Sequence, residues 1–148
     1  MFGWRWKNFI RTLTALAFFS GVCLGVVLPG TCKLSKIDGT RTFYLDSASS
    51  QSLQKTELSF CDIFRVRGES VRFSTPHGQS SEQIAKELAE RLDGEICFSE
   101  AACGTVSYYG YAPNLGEGIL LYGKRVNLHI AVGEEECAVG CPIIFGGF

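Results

Sequence analysis

The chain has 148 residues, 46% apolar and 20% charged, with a formal net charge of −1. That length suits one domain with a single core, and that balance argues against long disorder. Three of the 14 basic residues (Arg5, Lys7, Arg11) precede an uncharged run at 12–32. All 15 acidic residues follow it, so the remainder carries −4. An acidic domain lacks the clustered Lys and Arg that phosphate-backbone binding needs, so no nucleic-acid partner is expected.

The apolar part of the uncharged run opens at Thr12 and closes at Leu28, just before Pro29-Gly30. As a helix the whole run reaches roughly 30 Å, one hydrocarbon thickness. Trp4 and Trp6 stand where interfacial aromatics sit, and the basic flank predicts a cytoplasmic N-terminus with the following domain outside. Two readings stay open. Residues 1–31 are a retained anchor holding a single domain at 32–148 on the cytoplasmic membrane, or a signal cleaved near Thr31 that leaves the domain secreted. A buried core helix is a third reading, disfavoured by the basic flank.

Beyond the run, 32–39 reads as a short linker or first strand, and 41–46 has strand composition. Residues 47–54 are Ser-rich and loop-like, although 53–60 could pair as a strand. The segment 64–73 reads as a hairpin turning at Gly68-Glu69. That register puts Phe64, Val66, Val71 and Phe73 inside and sets Arg65 opposite Arg72, with Arg67 alongside. Like charges face to face are destabilising. Either an anionic partner meets Arg65, Arg67 and Arg72, or Glu57, Asp62 or Glu69 neutralises them internally.

Ser80 opens a helix, because Ser80-x-x-Gln83 fits a capping box. Ile84, Leu88 and Leu92, with Ala85 and Ala89, form its apolar stripe, and Gly94 fits a C-terminal cap. Residues 95–99 and 105–111 read as strands. A hairpin turning at Gly123-Lys124 pairs Leu121 with Val126. The last hairpin sets Val132 opposite Cys137 and Ile130 opposite Val139, with Val126, Leu128, Ile130, Val132, Cys137, Val139 and Cys141 on one inner face. Pro142 cannot donate to a ladder, so the final strand is an edge or ends there. The fold class is α+β: an antiparallel sheet with a helix packed on one face.

Seven cysteines are present. Cys137 and Cys141 read as small buried hydrophobes, too far apart along a strand to bridge each other. Cys97 and Cys103 flank an expected bend at 99–102 and could form a disulfide across it. With two histidines and no Cys-x-x-Cys pair, no zinc site or other metal is expected.

The residues Val126-Asn127-Leu128-His129-Ile130-Ala131-Val132 and Val139-Gly140-Cys141-Pro142-Ile143-Ile144 carry a family likeness. This half, about 81–148, resembles the YwmB family, whose fold is similar to that of the TATA-box-binding protein. Cys141 stands where the family pattern has Thr. The resemblance implies an exported protein of endospore-forming Gram-positive bacteria, with no established activity and no cofactor. The name of the fold describes shape, not DNA binding.

Tyr109, Tyr111, Tyr122, Arg125, Asn127 and His129, with Leu120, fall on outward strand positions. Tyr and Arg anchor interfaces, so this set reads as a recognition surface for an envelope or membrane protein partner. The plainer reading is a solvated sheet face. The expectation is therefore a non-catalytic extracytoplasmic binding or scaffolding protein of the cell envelope that uses an exposed sheet face; the resemblance implies a link to sporulation. The alternatives are a thiol enzyme pairing Cys97 or Cys103 with His129, and a cytoplasm-facing nucleic-acid binder.

Overall fold

The computed structural model describes residues 10–18, 32–46 and 53–145. Met1–Cys32 and Lys33–Phe148 form two compact units. In the first, residues 10–18 are helical (α1), and the Thr14 hydroxyl donates to the Ile10 carbonyl at 2.7 Å. Most of the expected membrane segment lies outside the described residues. Among those described, no helix is long and apolar enough to cross a membrane.

In the second unit the strands are β1 (Thr40–Leu45), β2 (Leu53–Lys55), β3 (Val66–Ser74), β4 (Glu95–Ala102), β5 (Thr105–Tyr111), β6 (Ile119–Leu121), β7 (Lys124–Val126), β8 (Leu128–Val132) and β9 (Glu136–Cys141). Seven of them form one antiparallel sheet in the order β2-β1-β3-β9-β8-β5-β4; β6 and β7 pair separately. β3 and β4 run the same way with three strands between them, so the helix α2 (Ser81–Arg91) is a crossover. It lies on β8, β5 and β4.

The helix starts where the capping box predicts. Ser80 Oγ accepts from the Gln83 N–H, and Gln83 Oε1 accepts from the Ser80 N–H, satisfying two orphan donors. Ile84, Ala85, Leu88, Ala89 and Leu92 are buried on one stripe. Each large aliphatic among them contributes about 2 kcal/mol of transfer free energy. At the other end Asp93, rather than Gly94, takes the left-handed position (φ 56°). Gly94 is small for another reason: a Cβ there would meet the Ala112 Cβ at 2.9 Å.

The sheet's inner face carries Val71, Leu128, Ile130, Val132, Cys137, Val139 and Cys141. Beyond α2 it is covered by 33–39, which is a turn segment and not a strand, seating Leu34 and Ile37. The buried Glu69 carboxylate holds this segment: its Oε1 accepts from the Leu34 N–H, and its Oε2 lies 3.7 Å from Arg41 Nε. Burial raises the Glu69 carboxyl above its usual range, against the lowering effect of the Leu34 N–H and of Arg41.

Glu69 also corrects the expected hairpin at 64–73. No turn forms at Gly68-Glu69; β3 runs straight through, with β1 on one side and β9 on the other. Gly68 is needed for close approach, since a Cβ there would stand 2.6 Å from the Cys141 carbonyl oxygen. Arg65 therefore does not face Arg72. It lies in a 3-10 turn at Ile63–Arg65 and donates to the Asp46 carbonyl. Arg67 pairs with Asp46 at 2.7 Å and Arg72 with Glu136 at 3.1 Å. The internal neutralisation is real, but its carboxylates are Asp46 and Glu136. No joint anion site forms from Arg67 and Arg72, which lie roughly 16 Å apart along the strand.

The last hairpin has the predicted register, Val132 with Cys137 and Ile130 with Val139. β9 does end before Pro142, but it is central in the sheet, between β3 and β8, and not an edge. The preceding hairpin turns one residue earlier than expected, at Tyr122-Gly123. Both carry positive φ (48° and 78°), which suits a tight primed turn, and Ile119 rather than Leu121 meets Val126.

The outer face is partly covered by the chain's own C-terminal segment. Ile144 packs with Ala131 and Ala138, and the Phe145 ring meets Tyr44 edge-on at 5.2 Å. Gly140 makes room for this, because a Cβ would come within 2.8 Å of the Ile144 nitrogen.

Candidate functional site

The site crosses β8, β5 and β4, running from beneath the edge of this cover to the part of the outer face that it leaves open. His129, Tyr109 and Phe98 sit directly opposite one another on the three strands. Their rings form a cross-strand stack: Tyr109 to His129 at 4.6 Å and 13°, Phe98 to Tyr109 at 4.8 Å and 21°. Such pairs add about 0.5–1.5 kcal/mol each beyond area burial. Tyr122 from the β6–β7 arm meets Phe98 edge-on at 5.7 Å. Lys124 ties that arm down: its Nζ donates to the Cys97 carbonyl at 2.9 Å and lies 5.9 Å from the Phe98 centroid.

The ladder is graded. At one end His129 is enclosed. Its Nδ1 accepts from the Ile144 N–H at 3.2 Å, and its Nε2 is buried with no hydrogen-bond partner. Burial depresses its pKa to about 4, so the ring is neutral at pH 7. In the middle, burial raises the Tyr109 phenol above its usual range, and Glu100 adds to this. At the open end Tyr122 is 82% exposed and Leu120 71%. The open end is therefore apolar and aromatic, with Lys124 and Arg125 beside it.

The six residues expected on this surface thus separate. Tyr109, Tyr122 and His129 meet in one ladder with Phe98 and Lys124, which the sequence reading had not singled out. Arg125 is exposed opposite Leu120 in the arm, and Tyr111 is half-buried opposite Glu95. Asn127 is a correction. It is fully buried: its Oδ1 accepts from the Ala112 N–H at 2.7 Å, and its Nδ2 donates to the Ala112 and Gly116 carbonyls at 2.8 and 2.6 Å. It breaks the expected continuous strand between β7 and β8 and fastens the 112–118 loop to the sheet. His129 is corrected in part: it points away from the core as expected, but into the cover made by Ile144.

The cysteines lie in two settings. Cys137 and Cys141 are buried on the inner face as expected. Burial pushes Cys141 up to about 11, and it raises Cys137 despite the Thr75 hydroxyl 3.4 Å away. The bend expected between Cys97 and Cys103 is instead continuous β4, and the turn falls at Cys103-Gly104. Both are free thiols six positions apart, about 20 Å along a strand, which no disulfide spans. His129 lies two strands from Cys97 and bonds neither thiol. Among the described residues no three His, Cys, Asp or Glu side chains converge to hold a metal.

Fold and site together define an α+β domain with a large antiparallel sheet, helix-covered on one face and aromatic at the open end of the other. Comparison with protein-family models, curated proteins and solved structures finds no match for this chain.

Proposed function

We propose that the chain is a non-catalytic binding or scaffolding module, and that the open end of its outer sheet face is the surface it uses. The observation that carries this reading is the ladder from His129 to Tyr122, which ends in two large apolar side chains, Leu120 and Tyr122, held out in solvent. Surface aromatics beside Lys124 and Arg125 suit a protein partner. The proposal places the domain outside the cytoplasmic membrane, tethered by the segment from Thr12 to Leu28 or released near Thr31. This is supported by the basic flank and the uncharged run. It also takes the 81–148 half as YwmB-like and the sheet-and-helix arrangement as akin to the TATA-box-binding protein, supported by the strand residues quoted above. An envelope or sporulation partner follows from that likeness, and no cofactor is called for.

Cys61 and Cys103 are exposed, free thiols and report the side of the membrane. A membrane-impermeant maleimide applied to intact cells expressing the chain should label both before lysis, as read by mass spectrometry. Labelling of these two only after lysis would overturn the extracytoplasmic placement.

A further inference from the structure

β4 is an eight-residue edge strand whose one neighbour among the described residues is β5. In an antiparallel edge strand, alternate residues turn their N–H and C=O groups away from the sheet. Lys124 takes the Cys97 carbonyl, and the ladder irregularity between Ile96 and Phe98 bends the strand there. That blunts the edge at Cys97 and leaves the stretch from Phe98 onward open. Beside this edge runs a cleft of about 790 Å³ between β4 and the flank of α2, which the open stretch meets at Phe98 and Ser99. Its floor includes Ala89, Ile96 and Tyr108, and its rim carries Glu82, Glu90 and Glu95 with Lys86, while Lys124 lies at the Cys97 end. Lys86 is itself 4.0 Å from Glu90.

We propose that this edge and cleft accept an extended polypeptide segment of another protein, added as an eighth strand antiparallel or parallel to β4, with basic side chains directed at the α2 flank. Backbone pairing supplies affinity and the cleft supplies side-chain selection. Charge decides the occupant. A second copy paired through β4 would bring Glu82, Glu90 and Glu95 of each chain toward those of the other, and like charges in a strand pair are destabilising. A Lys- or Arg-bearing strand meets the same carboxylates as counter-charges. The cleft shares Phe98 with the ladder but is not lined by Tyr122, so Tyr122→Ala separates this site from the function proposed above.

The probe is a seven-residue peptide alternating lysine and valine, with its glutamate–valine counterpart as control. Binding is read by the alkylation rate of Cys97, which lines the cleft, with exposed Cys61 as internal reference. The lysine peptide should slow Cys97 alkylation at least about tenfold and leave Cys61 unchanged, and the glutamate peptide should do neither. The double variant Glu82→Lys/Glu90→Lys, both on the exposed helix surface, should lose the protection, whereas Tyr122→Ala should keep it. A lysine peptide with alternate N-methylated amides should also lose it, because it cannot complete a ladder. The proposal is overturned if the lysine peptide fails to protect Cys97 at about 1 mM, the weak end of specific binding. Equal protection by the N-methylated peptide, undiminished protection in the double variant, or a concentration-dependent dimer that itself shields Cys97 would overturn it equally.

Discussion

Replacing Asn127 with alanine lowers the unfolding free energy by about 3–5 kcal/mol. The substitution strands two buried backbone groups, the Ala112 N–H and carbonyl, and releases the Gly116 carbonyl at the exposed end of the loop. Each buried polar group left unpaired costs about 1–3 kcal/mol. Against a typical domain total of about 5–15 kcal/mol, that is a large fraction. Asn127→Asp should fare no better, since a carboxylate can accept from Ala112 but cannot donate to the two carbonyls. Denaturant unfolding of both variants measures this. A loss under about 1 kcal/mol would mean that water or a rearranged loop replaces the amide, and the 112–118 loop would not depend on it.

Acidification should destabilise the domain through His129, by about 3 kcal/mol in all. The folded ring titrates near 4 because of burial, against 6.5 when free. Between these values the unfolded chain binds a proton that the folded one refuses. Stability is therefore full above pH 6.5, falls as pH drops toward 4, and levels off below. Glu69 acts in the opposite sense: its raised pKa makes the folded state bind a proton more readily than the unfolded one, so it favours the fold at lower pH. The comparison that isolates His129 is wild type against His129→Phe, because Glu69 is common to both. The stability difference between them should shift by about 3 kcal/mol from pH 7 to pH 4, in favour of the Phe variant at low pH. A pH-independent difference would show that the imidazole is already solvated.

The parts of the fold that could be read in advance are those whose determinants are local. Ser80 and Gln83 fix the helix start three residues apart, and the alternation from Leu128 to Cys141 fixes one hairpin around its own turn. What misled was a local signal answering a distant demand. Gly68 looked like a turn glycine, but its smallness serves a carbonyl brought by Cys141, more than seventy positions away. Asn127 sat at an outward position by strict alternation. Only the return of the 112–118 loop, which no periodicity announces, turns that position into a buried anchor. His129 and Tyr109 were legible as outward residues. Phe98 joined them through an irregularity at Cys97 that shifts the face of β4, and the cover over His129 comes from a C-terminal segment with no strand pattern of its own. The aromatic surface was visible in the residue types; which of them meet was set by register.

The most direct measurement is site-specific photocrosslinking in cells, with a photoreactive phenylalanine at Tyr122 and, separately, at Leu53 on the far sheet edge. Both positions are exposed, so either carries the probe without unfolding the domain. A binding role for the ladder predicts a discrete adduct from position 122 that is absent from position 53 and lost on Phe98→Ala. The same adducts from both positions, or none from position 122, would contradict it.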